Sequence, residues 1–144
     1  MADRTSSSIV INAGKHEVMA VVADFPAYPK WTSSIKRAEI LSTDAGDRPE
    51  RVRFNLEAGP IKDIYVLAYE WDGDDAVRWH MDERGTKISN ISGSYRLTDS
   101  GGGTEVTHEL AVEAPILKVA FVRRQTEKMI IDMALNDLKR RVEQ

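Results

Sequence analysis

Hydrophobic positions change their spacing twice along this chain, and the two changes divide it into three stretches. The first opens with Thr5 to Ile11, β-branched at its end, which reads as a strand. Asn12 is placed to cap a following helix. Val18, Val21, Val22 and Phe25 then recur at i, i+3, i+4 and i+7, predicting a helix over Ala13 to Asp24 with one buried stripe. Pro26 and Pro29 end it, since each lacks an N–H and restricts the residue before it.

From Ile35 to Glu113 the period is two. Val52, Phe54 and Leu56 alternate with Arg51, Arg53 and Asn55; Tyr65, Leu67, Tyr69 and Trp71 alternate with Ile64, Val66, Ala68 and Glu70. Val77, Trp79 and Met81 form a third series, and Val106, His108, Leu110 and Val112 a fourth. Turn chemistry separates them: Ala45-Gly46-Asp47, Ala58-Gly59-Pro60, Asp72-Gly73-Asp74, Arg84-Gly85 and Gly101-Gly102-Gly103. The intervals are too short for crossover helices, so the strands form an antiparallel meander.

After Pro115 the period returns to 3.6. Val119, Val122, Thr126, Met129, Ile130, Met133, Ala134, Asp137, Leu138 and Val142 trace a broad stripe on one long helix. Lys139, Arg140 and Arg141 suit the negative pole of its dipole. The expected fold class is therefore α+β: strand, helix, about six further strands, long helix.

A single sheet must bury one face, and only these helices are available to cover it. A straight helix in the curve of a twisted sheet touches it along one line and leaves room beside that line. Phe54, Tyr65, Tyr69, Trp71, Trp79, Tyr95, Met129 and Met133 are the large, soft candidates for the inner wall, together with Leu56, Leu67 and Met81 at inner strand positions. Aromatics and methionines suit an irregular apolar cavity of about a few hundred Å³. Ordinary core packing accounts for the same residues.

Composition narrows the functions. A hydrophobic share of 42% and a charged share of 30% in 144 residues suit one globular domain spanning 1–144. The absence of cysteine removes disulfides, thiol catalysis and cysteine–zinc sites, and fits a cytoplasmic location. A net charge of −3 offers no general field for nucleic acid. No apolar run reaches the length of a membrane span, and the start lacks the pattern of a signal peptide.

Of the three histidines, His16 and His80 are expected at the surface, and no spacing suggests a metal site. His108 shares the parity of Val106, Leu110 and Val112 and so points inward. There it is a structural histidine, a group that orients a ligand, or an acid–base. Asp72, Asp74 and Asp75 lack calcium-loop spacing and read as a turn. Lys118, Arg123, Arg124 and Lys128 form a basic patch on the long helix, either a solvated face or a point of transient membrane contact. Asp63, Asn90 and Arg96 are polar candidates for the cavity, and Gly93 is a candidate bulge that would exchange inside for outside.

The element order, with Asp24-Phe25-Pro26-Ala27-Tyr28-Pro29-Lys30-Trp31 closing the first helix and Gly93-Ser94-Tyr95-Arg96-Leu97 before the glycine hairpin, resembles the START-like, helix-grip superfamily. The likeness is closest to its bacterial polyketide cyclase/dehydrase and coenzyme Q-binding branch. It implies about seven curved antiparallel strands around the C-terminal helix, short helices after the first strand, and a cavity for a lipid, isoprenoid or polyketide-like molecule. The expected ligand-binding residues are Trp31, Phe54, Leu56, Tyr65, Leu67, Tyr69, Trp79, Met81, Tyr95, His108, Met129 and Met133. No metal or cofactor is implied. The expected role is binding or carriage; the alternative is an aromatase/cyclase using His108 and one or two of Tyr65, Tyr69 and Tyr95.

Overall fold

The computed structural model describes residues 4–58 and 61–144. Strand β1 (Thr5–Ile11) leads into helix α1 (Lys15–Ala23), a 3-10 turn at Phe25–Ala27 and the short helix α2 (Tyr28–Trp31). Six strands follow: β2 (Ile35–Thr43), β3 (Pro49–Ala58), β4 (Ile61–Asp72), β5 (Ala76–Glu83), β6 (Asn90–Ser100) and β7 (Gly103–Glu113). A 3-10 turn at Pro115–Leu117 precedes helix α3 (Ala120–Val142). The turn expected at Ala58-Gly59-Pro60 lies partly outside the described residues, at Gly59 and Pro60.

All seven strands form one antiparallel sheet in the order β1-β7-β6-β5-β4-β3-β2. The meander from β2 to β7 needs only tight connections, and β1 returns to pair beside β7, Thr5 opposite Leu110. Register shifts in β2 near Arg37 and Ser42, and between Val66 and Leu67 of β4, bend the sheet. Gly93 is not a bulge: β6 and β7 pair without interruption from Asn90–Glu113 to Ser100–Gly103. Its reason is contact. A Cβ there would lie 2.7 Å from Trp79 Cζ2 and 2.5 Å from the Glu109 carbonyl.

Helix α1 starts later than its pattern suggests, and its N-cap is Gly14 without a side-chain hydrogen bond. Asn12 does not cap it; its backbone N–H donates to Glu143 at the far end of the chain. Val18, Met19 and Val22 face the core, and Phe25 below them is fully buried.

The long helix departs most from expectation. Its buried face is Glu127, Ile131, Leu135 and Leu138, whereas Val119, Val122, Met129 and Met133 are exposed. The physical reason is Glu127. Its carboxylate accepts from the Val112 backbone N–H and the Thr5 hydroxyl, both at 2.7 Å, tying α3 to β7 and β1. A charged residue at the N-terminal end of the buried face hides the true stripe and leaves a neighbouring apolar one more apparent in the sequence.

Candidate functional site

Helix α3 packs over β1 and β7 at one side of the sheet, while α2 and the 3-10 turn before it pack on β2 at the other. The strands between carry large side chains on their inner face, and the helices leave a gap over part of them. The result is a cavity of about 140 Å³, lined by β3 to β7, by the α2–β2 junction and by α3.

Its floor follows from period two. Phe54 and Leu56 rise from β3, Tyr65, Leu67 and Tyr69 from β4, and Trp79 from β5; all are buried and all line the cavity. Tyr95 of β6 and His108 of β7 are direct cross-strand partners, with ring centroids 4.3 Å apart. Trp79 lies over Gly93 and meets Tyr95 at 5.3 Å and His108 at 5.6 Å. The space of the missing Cβ is what lets the indole lie flat on the sheet and join this cluster.

On the opposite side Trp31 stands against Tyr28, centroids 4.8 Å apart, and Tyr28 donates its hydroxyl to the Val22 carbonyl at 2.5 Å. The lining residues that keep some exposure, Trp31, Ile35, Ala58, Ile130, Ala134 and Asp137, mark the open side. The mouth therefore lies between α3 and the α2–β2 junction, reaching to the β3–β4 hairpin.

Nine of the twelve expected binding residues, His108 among them, meet in this wall. Three differ. Met129 and Met133 project into solvent, because Ile130 and Ala134 occupy the cavity side of α3. Met81 is half-buried against the core but does not line the cavity. Trp71 is also outside it: its Nε1–H donates to the Pro49 carbonyl at 2.6 Å, and the Arg48 guanidinium covers its ring. Of the polar candidates, Arg96 is exposed and Asn90 is absent from the lining. Asp63 is buried but turns away to hold the β5–β6 loop. Sequence reasoning missed Ile88 and Ile91, which line the cavity where that loop enters β6. The parity of Ile91 with Gly93 and Tyr95 was the available signal.

The wall's polar groups have unusual surroundings. Both ring nitrogens of His108 are buried without a hydrogen-bond partner, as is Trp31 Nε1. Burial pushes the His108 pKa down from 6.5 to about 3, so the imidazole is neutral at ordinary pH. Burial raises the phenol pKa values of Tyr65, Tyr69 and Tyr95; the carboxylate of Asp137 adds to the effect at Tyr95, and that of Asp63 at Tyr65. Asp137, on the cavity side of α3, is paired with Arg140. His16 and His80 are exposed. Among the described residues no cluster of three or more His, Asp or Glu side chains could hold a metal ion, and no helix is long and apolar enough to cross a membrane.

The arrangement has known counterparts. A START superfamily protein from Mycobacterium smegmatis superposes with a TM-score of 0.90 at 20% identity, over 99% of this chain and 98% of that one. The Zhui aromatase/cyclase from Streptomyces sp. R1128 gives 0.76 at 17% identity, over 98% and 93%. At these identities the likeness is one of fold. The family model described as polyketide cyclase/dehydrase and lipid transport matches residues 2–143.

Proposed function

The chain belongs to the polyketide cyclase/dehydrase and lipid transport family, and from that premise we propose that it binds a small apolar molecule bearing a neutral polar group. The observation that carries this reading is the apolar cavity with buried, unpartnered polar atoms in its wall, at His108 and Trp31. A buried donor or acceptor without a partner costs about 1–3 kcal/mol, a cost that a ligand's hydroxyl or carbonyl removes. An indole N–H can only donate, so its complement is an acceptor oxygen; a neutral imidazole both donates and accepts. A void near 150 Å³ takes a molecule of about benzene size, so the polar ring or head belongs inside and any longer tail leaves through the mouth.

The alternative is an aromatase/cyclase-type enzyme. In its favour, His108, Tyr95 and Asp137 border one cavity. Against it, burial keeps the imidazole far below the range of a general acid–base at neutral pH and keeps Tyr95 a neutral phenol. These groups are suited to hydrogen bonding, which favours binding over proton transfer.

The test is native mass spectrometry of the purified chain, with titration of the apolar probe N-phenyl-1-naphthylamine. Saturable 1:1 uptake is expected, falling about tenfold in Ala134→Trp, which fills the cavity, while the melting temperature is retained. His108→Phe should weaken naphthol-type competitors by a similar factor and leave the hydrocarbon probe unchanged. Absence of both a bound mass and saturable uptake would refute the reading. Turnover of a poly-β-keto substrate that is lost in His108→Phe with binding intact would install the enzyme instead.

A further inference from the structure

The two ends of the sheet carry opposite charge. An antiparallel meander sends alternate turns to opposite ends. The β2–β3, β4–β5 and β6–β7 turns share one end and hold Asp44, Asp47, Asp72, Asp74, Asp75 and Asp99 against Arg48, with Lys15 of α1 paired to Asp75 and Asp99. The cations closing α3 also lie there, where Lys139 and Arg140 are paired with Glu143 and Asp137.

The other end gathers the α2–β2 junction, the β3–β4 and β5–β6 connections and the start of α3. It carries Lys36 and Lys62, both paired with Glu57, then Arg84 and Lys87, then Lys118, Arg123 and Arg124, against Glu83, which is paired with Arg51, and Glu113. Asp63 lies here too but is buried and fully engaged by backbone donors. The chain as a whole has a net charge of −3, so this basic end stands against the general sign.

The apolar exposure is just as concentrated. Of the eight large hydrophobic side chains exposed among the described residues, six fall between Ile116 and Met133. Ile116, Val119 and Phe121 are 61%, 63% and 67% exposed at the start of α3; Val122, Met129 and Met133 continue down its outer face. Ile130 and Ala134, each one residue beyond a methionine, line the cavity, so the apolar face runs to the mouth.

Local stability does not explain the sequence here. Helix α3 has no side-chain N-cap and no acidic residue in its first turn, and it places Arg123 and Arg124 at the positive pole of the dipole, the unfavourable sign. Arg123 offsets this in part through Glu127, at 4.0 Å.

We propose that this end docks on an anionic lipid membrane. Ile116, Val119 and Phe121 enter the boundary between headgroups and acyl chains, Lys118, Arg123 and Arg124 meet the lipid phosphates, and the acidic end points to water. That pose brings the cavity mouth to the bilayer, where apolar molecules are held. The proposal concerns the surface alone and stands whether or not the cavity is occupied.

The experiment is co-sedimentation of the full chain with phosphatidylcholine vesicles, and with vesicles in which a third of the lipid is phosphatidylglycerol. Binding to the anionic vesicles is expected, weakening as salt rises past about 0.1 M, where charges are screened beyond about 10 Å. The double Val119→Ser/Phe121→Ser and the single Lys118→Glu should each reduce partitioning about tenfold, with unchanged melting since all three residues are exposed. Asp72→Asn, at the opposite end, should bind as the parent does. No partitioning onto anionic vesicles, equal partitioning onto neutral ones, or equal loss in Asp72→Asn would overturn the proposal. So would a solution dimer that dissociates in Val119→Ser/Phe121→Ser, which would assign the face to a second copy.

Discussion

Asp63 offers the sharpest test of how the entrance to the cavity is built. Its Oδ1 accepts from the backbone N–H groups of Ile64 at 3.0 Å and Thr86 at 2.9 Å, and from the Thr86 hydroxyl at 3.1 Å. Its Oδ2 accepts from Lys87 N–H at 3.0 Å and Ile88 N–H at 2.7 Å. One carboxylate thus organises the β5–β6 loop, whose own backbone contributes the Gly85 N–H to Ile88 carbonyl bond at 3.1 Å. Only glycine fits at 85, since a Cβ there would lie 2.0 Å from Asp63 Oδ2. In Asp63→Asn one acceptor oxygen becomes an NH₂ aimed at backbone donors, so about two bonds are lost. Bonds to a charged group contribute about 1.5–3 kcal/mol each. Partial exposure of the loop reduces the sum, and a net loss of about 3 kcal/mol is expected. Against a total of about 5–15 kcal/mol, that lowers the melting temperature by roughly 6–12 °C for a domain of this size. Desolvation works to raise the carboxyl pKa, but the four backbone donors outweigh it and the pKa lies below its usual 3.8. A depressed carboxylate stabilises the fold above pH 3.8 and ceases to do so as pH falls through the lower, folded value. The gap between parent and variant, measured by thermal unfolding under circular dichroism, should therefore narrow on acidification below that point. Amide exchange at Thr86, Lys87 and Ile88 should quicken at neutral pH. A variant within about 0.5 kcal/mol of the parent, with exchange unchanged, would refute the role assigned to Asp63.

Two further outcomes are expected. Gly93→Ala should cost about 1–3 kcal/mol in urea unfolding, because the new methyl meets the fixed Glu109 carbonyl and forces Trp79 off the sheet; the shifted indole should change the tryptophan emission, and an unchanged spectrum would contradict the packing described. The depressed pKa of His108 makes the unfolded chain bind the extra proton between about 3 and 6.5, so stability falls as pH drops below 6.5, by up to about 1.4 kcal/mol per unit; His108→Phe should flatten that part of the profile, and an unaltered slope would count against a buried neutral imidazole.

Much of this architecture is legible in residue spacing, for identifiable reasons. Strand β1 occupies Thr5–Ile11 as its composition suggests, and alternation correctly orients Phe54, Tyr65, Tyr69, Trp79 and His108. Period two survives because one sheet face is buried and the other wet, and a slip of one residue would invert every side chain. Helix phase is more fragile. Glu127 breaks the apolar stripe from inside, so Met129 and Met133 compete for the buried face and lose it to Ile131 and Leu135. Trp71 keeps inner parity yet stops short of the cavity, because its indole finds the Pro49 carbonyl at the start of β3. Asp63 carries no sequence signal of its task, since its partners in the β5–β6 loop lie more than twenty residues away. The void is likewise invisible in spacing, as it arises from where two helices stand apart over one sheet.

The position of β1 also sets an order of events for the nascent chain. Every pair from β2 to β7 is made between consecutive strands, at modest loop-closure cost. Strand β1 is the exception, waiting for Thr104 to Leu110 before its edge is covered. Helix α3, synthesised after them, then fastens both strands by Glu127, through Thr5 on one and Val112 on the other. During translation the first strand and the amphipathic α1 behind it stay unpaired for about a hundred residues, a period in which a bare strand edge is open to foreign strands. The polar run Ser6-Ser7-Ser8 in β1 makes that edge a poor template for aggregation while it waits.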